Sequence, residues 1–285
     1  MKARRIVARS VLLTLLGGLC VAQSESAAGP VTAPPRMVLL VRQQFQPGKA
    51  SERRRLEVAM VRAFERLKAP VYWRQLESLT GPQEALYFDP MDSFDHMEKV
   101  SAVLADVYAR HTELTQAQQA MDELLVSSNT MIAIRRDDLG YRTDSIDLAK
   151  ARFMEVVEVR VRPGHERDFA EAAKIMGAAH EGAKVNAAAM VYQVQSGTPG
   201  PTFLVFLPMR SLSELDEILA LGREVRRATA EGGRLGEIER DAYISSETNL
   251  YAASPDQSHV SEEFAASDPE YWKPAKPAAG AKKNQ

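Results

Sequence analysis

The chain has 285 residues, with 36 lysines and arginines against 38 aspartates and glutamates, which is enough length for two modest domains. Because there is no excess of positive charge to displace counterions from phosphates, the composition argues against a dedicated nucleic-acid binder. The single cysteine, Cys20, excludes an intramolecular disulfide and a cysteine-built metal site.

The first 22 residues have the pattern of an export signal. Basic residues at positions 2–5 precede an apolar stretch at 11–19, which is shorter than the roughly 20 residues of a spanning helix. Small side chains at Cys20 and Ala22 suit cleavage after Ala22, so the chain is predicted to be exported, as a periplasmic or secreted protein. Lipid anchoring at Cys20 is the alternative, and the bulky Leu19 before it disfavours that. No later segment is apolar enough to span a membrane.

Residues 37–145 read as a first α/β unit, after a Ser-, Ala- and Pro-rich segment at 23–36 that predicts a flexible lead-in. Periodicity predicts, in order, strand Met37–Gln44, helix Ser51–Lys68, a hairpin of strands Val71–Glu77 and Ala85–Asp89, a helix from Ser93 that breaks before 115–125, and strand Met131–Arg135.

Residues 151–253 repeat this order. Pro163-Gly164 follows Pro47-Gly48 by 116 positions, and later landmarks such as Ser93 and Ser211 are 118 positions apart. The matched order indicates a tandem duplication. The predicted elements are strand Phe153–Val161, helix Glu166–Glu181, strands Ala187–Gln195 and Phe203–Leu207, a helix from Ser211, and strand Thr248–Ala252. Residues 254–285 are predicted to form a low-complexity tail. Tyr271 and Trp272 either dock on the folded body or form a loosely held pair, and the sequence favours neither alternative.

Each unit therefore has the βαββαβ order of a ferredoxin-like fold, in the α+β class. Two such units in one chain, over residues 37–252, resemble the dimeric α/β-barrel superfamily, which includes the stress-responsive A/B barrels, the antibiotic-biosynthesis monooxygenases and the chlorite dismutases. The resemblance implies two four-stranded sheets that close face to face as an intramolecular barrel. It also implies helices outside the barrel and a ligand cavity inside it.

Strand alternation predicts which side chains face that interior. Val157, Val159 and Val161 are apolar and are expected under the helices, so Glu158 and Arg160 are expected inside. The same reasoning and the repeat offset extend the set of candidate ligand-binding residues to Arg42, Gln44, Trp73, Gln75, Tyr87, Asn129, Gln193, Glu247, Asn249 and Tyr251. Each of these side chains has an alternative role: Glu158 and Arg160 as an ion pair between sheets, and the aromatic residues as barrel filling.

No cofactor is predicted, and no catalytic residue is assigned. The chain lacks the His-x-x-x-His and Glu-x-x-His spacings of a protein-built metal site, and it lacks phosphate-binding glycine loops. The resemblance to chlorite dismutases implies that a haem would need a well-placed histidine. His180 is the candidate, but it falls on the apolar face of its helix, at the position of Phe64 in the first unit, which favours a core histidine.

Two functions remain open at this point. The first is a binding protein that holds a small organic ligand or an assembly partner in the barrel, with a structural or partner-binding envelope protein as a further alternative of this class. The second is a cofactor-independent monooxygenase acting on an aromatic substrate. In that hypothesis Trp73 and Tyr87 stack the substrate, Asn129 and Asn249 bind an oxyanion, and Arg42 or Arg160 stabilises its charge. Because Ala189 stands opposite Trp73 in the repeat, the cavity is expected to be asymmetric. The fused halves predict a monomer with pseudo-twofold symmetry.

Overall fold

Eight antiparallel strands form one closed barrel. The computed structural model describes residues 31–228 and 230–273. The strands are β1 (Met37–Phe45), β2 (Arg74–Ser78), β3 (Glu84–Met91), β4 (Leu125–Arg135), β5 (Phe153–Val161), β6 (Met190–Ser196), β7 (Thr202–Met209) and β8 (Tyr243–Ala253). Around the barrel they follow the order β1-β3-β2-β8-β5-β7-β6-β4. The predicted α+β fold of two βαββαβ units is confirmed.

The barrel closes through two seams between the units. Strand β2 of the first unit pairs with β8 of the second, and β6 of the second pairs with β4 of the first. Each hairpin turn packs tightly on the other unit: a Cβ on Gly81 would lie 2.3 Å from Asn249 Oδ1, and one on Gly197 would lie 2.0 Å from the Thr130 carbonyl oxygen. Both glycines have positive φ values, so no other residue fits these turns without strain. The repeat therefore forms one barrel, and neither half closes by itself.

Six helices form a layer outside the barrel. They are α1 (Ala50–Leu67), α2 (Phe94–Arg110), α3 (Thr112–Asp122), α4 (Glu166–Ala183), α5 (Ser213–Arg227) and α6 (Glu231–Ala242). The predicted break after the helix from Ser93 is confirmed, because α2 ends at Arg110 and α3 begins at Thr112. In the part of the chain described here, no helix is both long and apolar enough to cross a membrane.

Apolar side chains fill most of the barrel interior. Phe88, Tyr192 and Phe206 are almost fully buried, and their rings meet edge to face with centroids 5.7–6.2 Å apart. Leucine, methionine and valine side chains from strands β1 to β7 surround them, and β8 contributes Tyr251. An eight-stranded barrel is just wide enough for side chains to fill. The interior is therefore mainly a packed core, in contrast to the open ligand cavity that the resemblance implied.

One end of the barrel is covered by residues 31–36 and 255–272. For these residues the predictions of a flexible lead-in and of a low-complexity tail are corrected, because both segments are ordered. Within the lead-in, Thr32 accepts a backbone hydrogen bond from Leu148 (2.8 Å), and the Pro35 carbonyl oxygen accepts one from the Tyr192 hydroxyl (2.7 Å). Within the tail, residues 255–272 fold into a 3-10 turn and two short helices, α7 (Glu262–Ala266) and α8 (Pro269–Trp272).

Aromatic side chains hold this C-terminal cap in place. Phe264 and Trp272 belong to the barrel core, and Trp272 Nε1 donates to the Ala149 carbonyl oxygen (2.8 Å). Of the two alternatives for Tyr271 and Trp272, the structure has both side chains docked on the folded body. The predicted signal peptide, residues 23–30 of the lead-in and the tail beyond Lys273 lie outside the described residues.

Candidate functional site

The opposite end of the barrel is open and polar. There the interior-facing positions of the eight strands carry charged or hydroxyl- and amide-bearing side chains, whereas the next layer down is apolar. The innermost members of this polar end, together with the first apolar layer, line a cavity. Its walls are Leu40, Arg42, Leu86, Met131, Val156, Glu158, Leu204, Phe206, Glu247, Asn249 and Tyr251.

Arg42 is the centre of this site. Its Nε lies 2.8 and 2.9 Å from the two carboxylate oxygens of Glu84, which is almost completely buried. Its Nη2 donates to Glu247 (2.5 Å), and its Nη1 lies 3.5 Å from Glu158. The Tyr251 hydroxyl also donates to Glu84, and Asn249 Nδ2 donates to Glu247 (2.5 Å). We call these six side chains the Arg42 cluster.

The cluster places three carboxylates around one guanidinium, and the pKa values of Glu158 and Glu247 shift in opposite directions. Burial raises the pKa of Glu158, and the negative charges of Glu247 and Glu84 raise it further against the opposing effect of Arg42. The hydrogen bond from Arg42 lowers the pKa of Glu247. Burial and the hydrogen bond to Glu84 raise the pKa of Tyr251. Glu158 thus accepts a proton more readily than Glu247 does.

The space below the cluster is small. The cavity has a volume of about 20 Å³, which is room for about one water molecule. A drug-sized ligand occupies several hundred Å³, so it does not fit inside the barrel as it stands. Only a polar group of a few atoms can enter this cavity, and the rest of a ligand has to lie at the open end.

Five of the predicted site residues line this cavity: Arg42, Glu158, Glu247, Asn249 and Tyr251. Three others lie on interior-facing positions nearer to the open end. Asn129 pairs with Arg42 across β1 and β4, Gln44 receives a hydrogen bond from Ser127 (3.4 Å), and Arg160 follows Glu158 along β5. These three surround the open end without lining the cavity.

The remaining four predicted residues face the helices, so their expected place inside the barrel is corrected. Trp73 packs edge to face on Phe64 of α1, and the Tyr87 hydroxyl donates to Glu57 of α1. Gln75 lies opposite Tyr87 in the β2–β3 ladder and is fully buried in this outer layer.

Gln193 is the fourth, and it accepts a hydrogen bond from Arg136 Nη1 (2.7 Å). In β2 and β6 both faces are buried, so alternation gives no indication of which face is inside. Trp73 and Tyr87 therefore cannot stack a substrate in the barrel.

Two charged interior residues are absent from the predicted set. A strand that begins at Ala85 puts Glu84 in the hairpin turn, although two-residue spacing from Leu86 and Phe88 indicates an interior position. Arg74 lies deep in the barrel, with its guanidinium 4.8 Å from the Phe88 ring centroid and 5.6 Å from that of Phe264. A strand starting at Arg74 instead of Val71 would have indicated this position.

The site is asymmetric, as expected, although Trp73 is not the cause. The repeat offset relates Glu84 to Thr202, Asn249 to Met131, and Tyr251 to Ala133. The second set of positions therefore carries a hydroxyl and two apolar side chains where the first carries the polar residues of the Arg42 cluster. Arg42 and Glu158 are themselves related by the repeat and lie 3.5 Å apart, next to the pseudo-twofold axis. Charge is thus concentrated on one side of the open end.

His180 is not placed to serve a group bound in the barrel. It lies in α4, in the outer layer, where its Nδ1 is 2.7 Å from the Met176 carbonyl oxygen and its ring lies 5.5 Å from that of Tyr141. Its other nitrogen, Nε2, is buried and has no partner among the described residues. His180 therefore does not fit as a ligand of a haem in the barrel, because it faces packed protein outside it.

Comparisons with known proteins bear on the fold alone. No protein-family model matches the chain, and no curated protein has a significantly similar sequence. Among solved structures, an anthrone oxidase-like protein is 13% identical, with a TM-score of 0.52 over 76% of this chain and 91% of that one. A protein from Fusobacterium nucleatum assigned as a monooxygenase is 8% identical, with a TM-score of 0.50 over the same shares.

A chlorite dismutase variant from Candidatus Nitrospira defluvii is 10% identical, with a TM-score of 0.49 over 83% of this chain and 97% of that one. Identities this low do not extend to shared activity. Together with the strand order and the two seams described above, the first two comparisons confirm the predicted architecture. The chain shares the fold of these two proteins, and here an eight-stranded α/β barrel is built from two units of one polypeptide.

Proposed function

We propose that this chain binds a small organic molecule at the open end of its barrel, with a polar group of the ligand against the Arg42 cluster. One observation carries this proposal: the cluster is not needed to close the barrel. The repeat-related positions hold Thr202, Met131 and Ala133, and the sheet closes around them without added charge. Burying charged groups costs free energy unless they are well paired, so a cluster that the fold does not require suggests a role in binding.

The size of the cavity limits how such a ligand is held. Its polar group lies against the Arg42 cluster at the mouth of the cavity, while its remaining atoms lie among Asn129, Gln44 and Ser127 at the open end. These residues offer amide and hydroxyl groups, and Asn129 is exposed beside Arg42. The expected ligand is therefore bound at its polar end and partly exposed to solvent.

Native mass spectrometry of the protein purified from its own host tests this proposal. We expect a retained small molecule on the wild type. Asn129→Trp is expected to release it, because the indole would cover the open end next to Arg42. Thr130→Trp is the matched control, since the next residue of β4 is equally exposed and faces away from the interior. A chain without ligand, or retention by both variants, would favour the structural or partner-binding role instead.

The same spectrum tests two further parts of the proposal. We propose that the protein is exported and that the mature chain begins at Gln23, with a mass lower than the full sequence by residues 1–22. A lipoprotein would begin at a lipid-modified Cys20, and its mass would exceed that of a chain beginning at Gln23 by residues 20–22 and the lipid. We also propose a monomer, because both seams of the barrel are made within one chain. An obligate dimer would contradict that.

A cofactor-independent oxygenase is the second candidate, and Glu158 is the observation that favours it. Oxygenases of this kind begin by removing a proton from an electron-rich substrate, and Glu158 is a half-buried carboxylate with a raised pKa at the cavity. The similarity in fold to an anthrone oxidase-like protein makes anthrone a suitable probe.

Oxygen uptake with anthrone tests this second candidate. The reaction would consume O2, convert the probe to its quinone and release water. Glu158→Gln is expected to slow the uptake at least about tenfold, which corresponds to about 1.4 kcal/mol in the barrier. Glu155→Gln is the control, because Glu155 lies on the same strand and faces the helices. Uptake no faster than in buffer would eliminate the oxygenase.

A further inference from the structure

Two neighbouring interior-facing residues of β5 have incomplete partners. Glu158 and Arg160 are two positions apart on one face of the strand, with Arg160 nearer to the open end. Arg42, at the repeat-related position of Glu158, is surrounded by three carboxylates. Glu158 and Arg160 are not paired to a comparable extent. At the open end they are therefore the charged groups whose hydrogen bonds and counter-charges a ligand can supply.

Glu158 accepts no close hydrogen bond within the described part of the chain. Its nearest cation is Arg42 Nη1 at 3.5 Å, and that guanidinium has shorter contacts with Glu84 and Glu247. The charged groups around Glu158 are Arg42, whose charge is shared with Glu84 and Glu247, and Arg160 on its own strand. Burial, together with the two neighbouring carboxylates, favours protonation of Glu158.

Arg160, in contrast, is a cation that lacks an anionic partner. Its Nε is buried and has no hydrogen-bond acceptor, and it forms no salt bridge with any residue that the structure describes. Its cross-strand neighbours are Thr202 on β7 and Ser245 on β8, neither of which carries charge. The Thr202 hydroxyl already donates to the Pro199 carbonyl oxygen (2.7 Å). A partly buried guanidinium without an anionic partner can bind an oxyanion supplied by a ligand.

We propose that the ligand is a weak organic acid with an ionisable hydroxyl group, a phenol or an enol, whose proton passes to Glu158 and whose oxyanion binds Arg160. The O–H bond of the ligand breaks, its electron pair stays on the ligand oxygen, and a new O–H bond forms on the Glu158 carboxylate. This inference rests on the proposed binding function and names its ligand class. A ligand that arrives as a neutral hydroxyl avoids the repulsion that Glu84 and Glu247 exert on a permanent anion.

The probe for this proposal is 4-nitrophenol, because its phenolate absorbs at a longer wavelength than the phenol. Titration is carried out in weakly buffered solution, below the pH at which the free probe ionises, with a pH electrode. We expect the phenolate band to appear as the wild type binds the probe, without release of a matching amount of protons to the solution. Circular dichroism verifies that each variant is folded.

Three variants separate proton acceptance by Glu158 from oxyanion binding by Arg160. Arg160→Gln is expected to lose the phenolate band and to weaken binding at least about tenfold. Glu158→Gln is expected either to bind the neutral phenol or to release one proton for each phenolate formed. Glu155→Gln, whose burial also raises the pKa of its carboxyl group but which faces the helices, is expected to behave as the wild type.

The proposal is overturned if 4-nitrophenol does not bind, if the wild type binds it without a phenolate band, or if the wild type releases a proton for each phenolate. If a native ligand is nevertheless retained and is released by Asn129→Trp, the binding function stands and only the ligand class is wrong. If neither probe nor native ligand is found, both proposals fail together.

Discussion

Replacing Arg42 with methionine is expected to lower the free energy of unfolding by about 3 kcal/mol, because it leaves Glu84 buried without a cation. The Glu84 side chain is 4% exposed and accepts a bifurcated hydrogen bond from Arg42 Nε, which lies 2.8 and 2.9 Å from its two carboxylate oxygens. After the substitution its charge would face only the Tyr251 hydroxyl. Urea denaturation of the wild type and the variant, with the slope of the transition held in common, measures the difference.

A double variant gives the control for this prediction. In Arg42→Met/Glu84→Gln the stranded carboxylate is removed as well, so we expect at least half of the lost stability to return. Arg223→Met, at an exposed position of α5, is expected to change stability by less than about 0.5 kcal/mol. If Arg42→Met costs no more than Arg223→Met, the cluster is solvated more fully than its geometry indicates.

Replacing Arg74 with methionine is expected to have the opposite effect and to raise the free energy of unfolding by about 2 kcal/mol. Arg74 is 5% exposed, and its Nη2 has no partner among the described residues. It has one hydrogen bond, from Nη1 to the Leu148 carbonyl oxygen (3.0 Å). A buried charge that lacks a counter-charge is often improved upon by an apolar side chain of similar volume. The repeat supplies that side chain, since Met190 occupies the related position.

The pH dependence of stability provides a second readout for Arg74. Burial lowers the pKa of Arg74 to about 10, against an ordinary value of 12.5. Above pH 10 the unfolded chain therefore holds this proton more tightly than the folded chain. Stability of the wild type should rise with pH between about 10 and 12.5 from this group, and Arg74→Met should lose that rise.

Arg152 is the matched control for Arg74. It also belongs to the covered end, but it has a salt bridge with Asp268 and lies 3.6 Å over the Tyr271 ring, so Arg152→Met is expected to destabilise. A decrease of more than about 1 kcal/mol in the free energy of unfolding of Arg74→Met would contradict the prediction. It would mean that the interactions of the guanidinium with Phe88 and Phe264 outweigh its burial.

The burial of each strand determines how well the sequence predicts which of its side chains face the barrel interior. In β5 and β1 apolar residues alternate with polar ones towards the open end, so Glu158 and Arg42 were correctly placed inside. In β2 and β6 the residues on both faces are buried, and a polar side chain such as Gln75 or Gln193 then has no preferred face in the pattern. The order of elements was predictable because the duplication presents it twice.

The covered end of the barrel was not predictable from composition. Residues 31–36 and 255–272 contain few apolar side chains, and their sequence suggests flexibility. They are ordered because the barrel end exposes an apolar surface that Phe264 and Trp272 cover and backbone groups with which the segments form hydrogen bonds. That surface is formed only when all eight strands have closed, so no local window of sequence contains it.

The contact between Arg42 and Glu158 has a consequence for how such a barrel arises. In a dimer of two identical chains, the residue next to the twofold axis meets its own symmetry mate, and arginine would face arginine or glutamate would face glutamate. Two like charges at 3.5 Å repel each other, so a symmetric ancestor would favour an uncharged residue there. Once both halves are inherited in one gene product, each copy can mutate alone, and a salt bridge across the axis becomes possible.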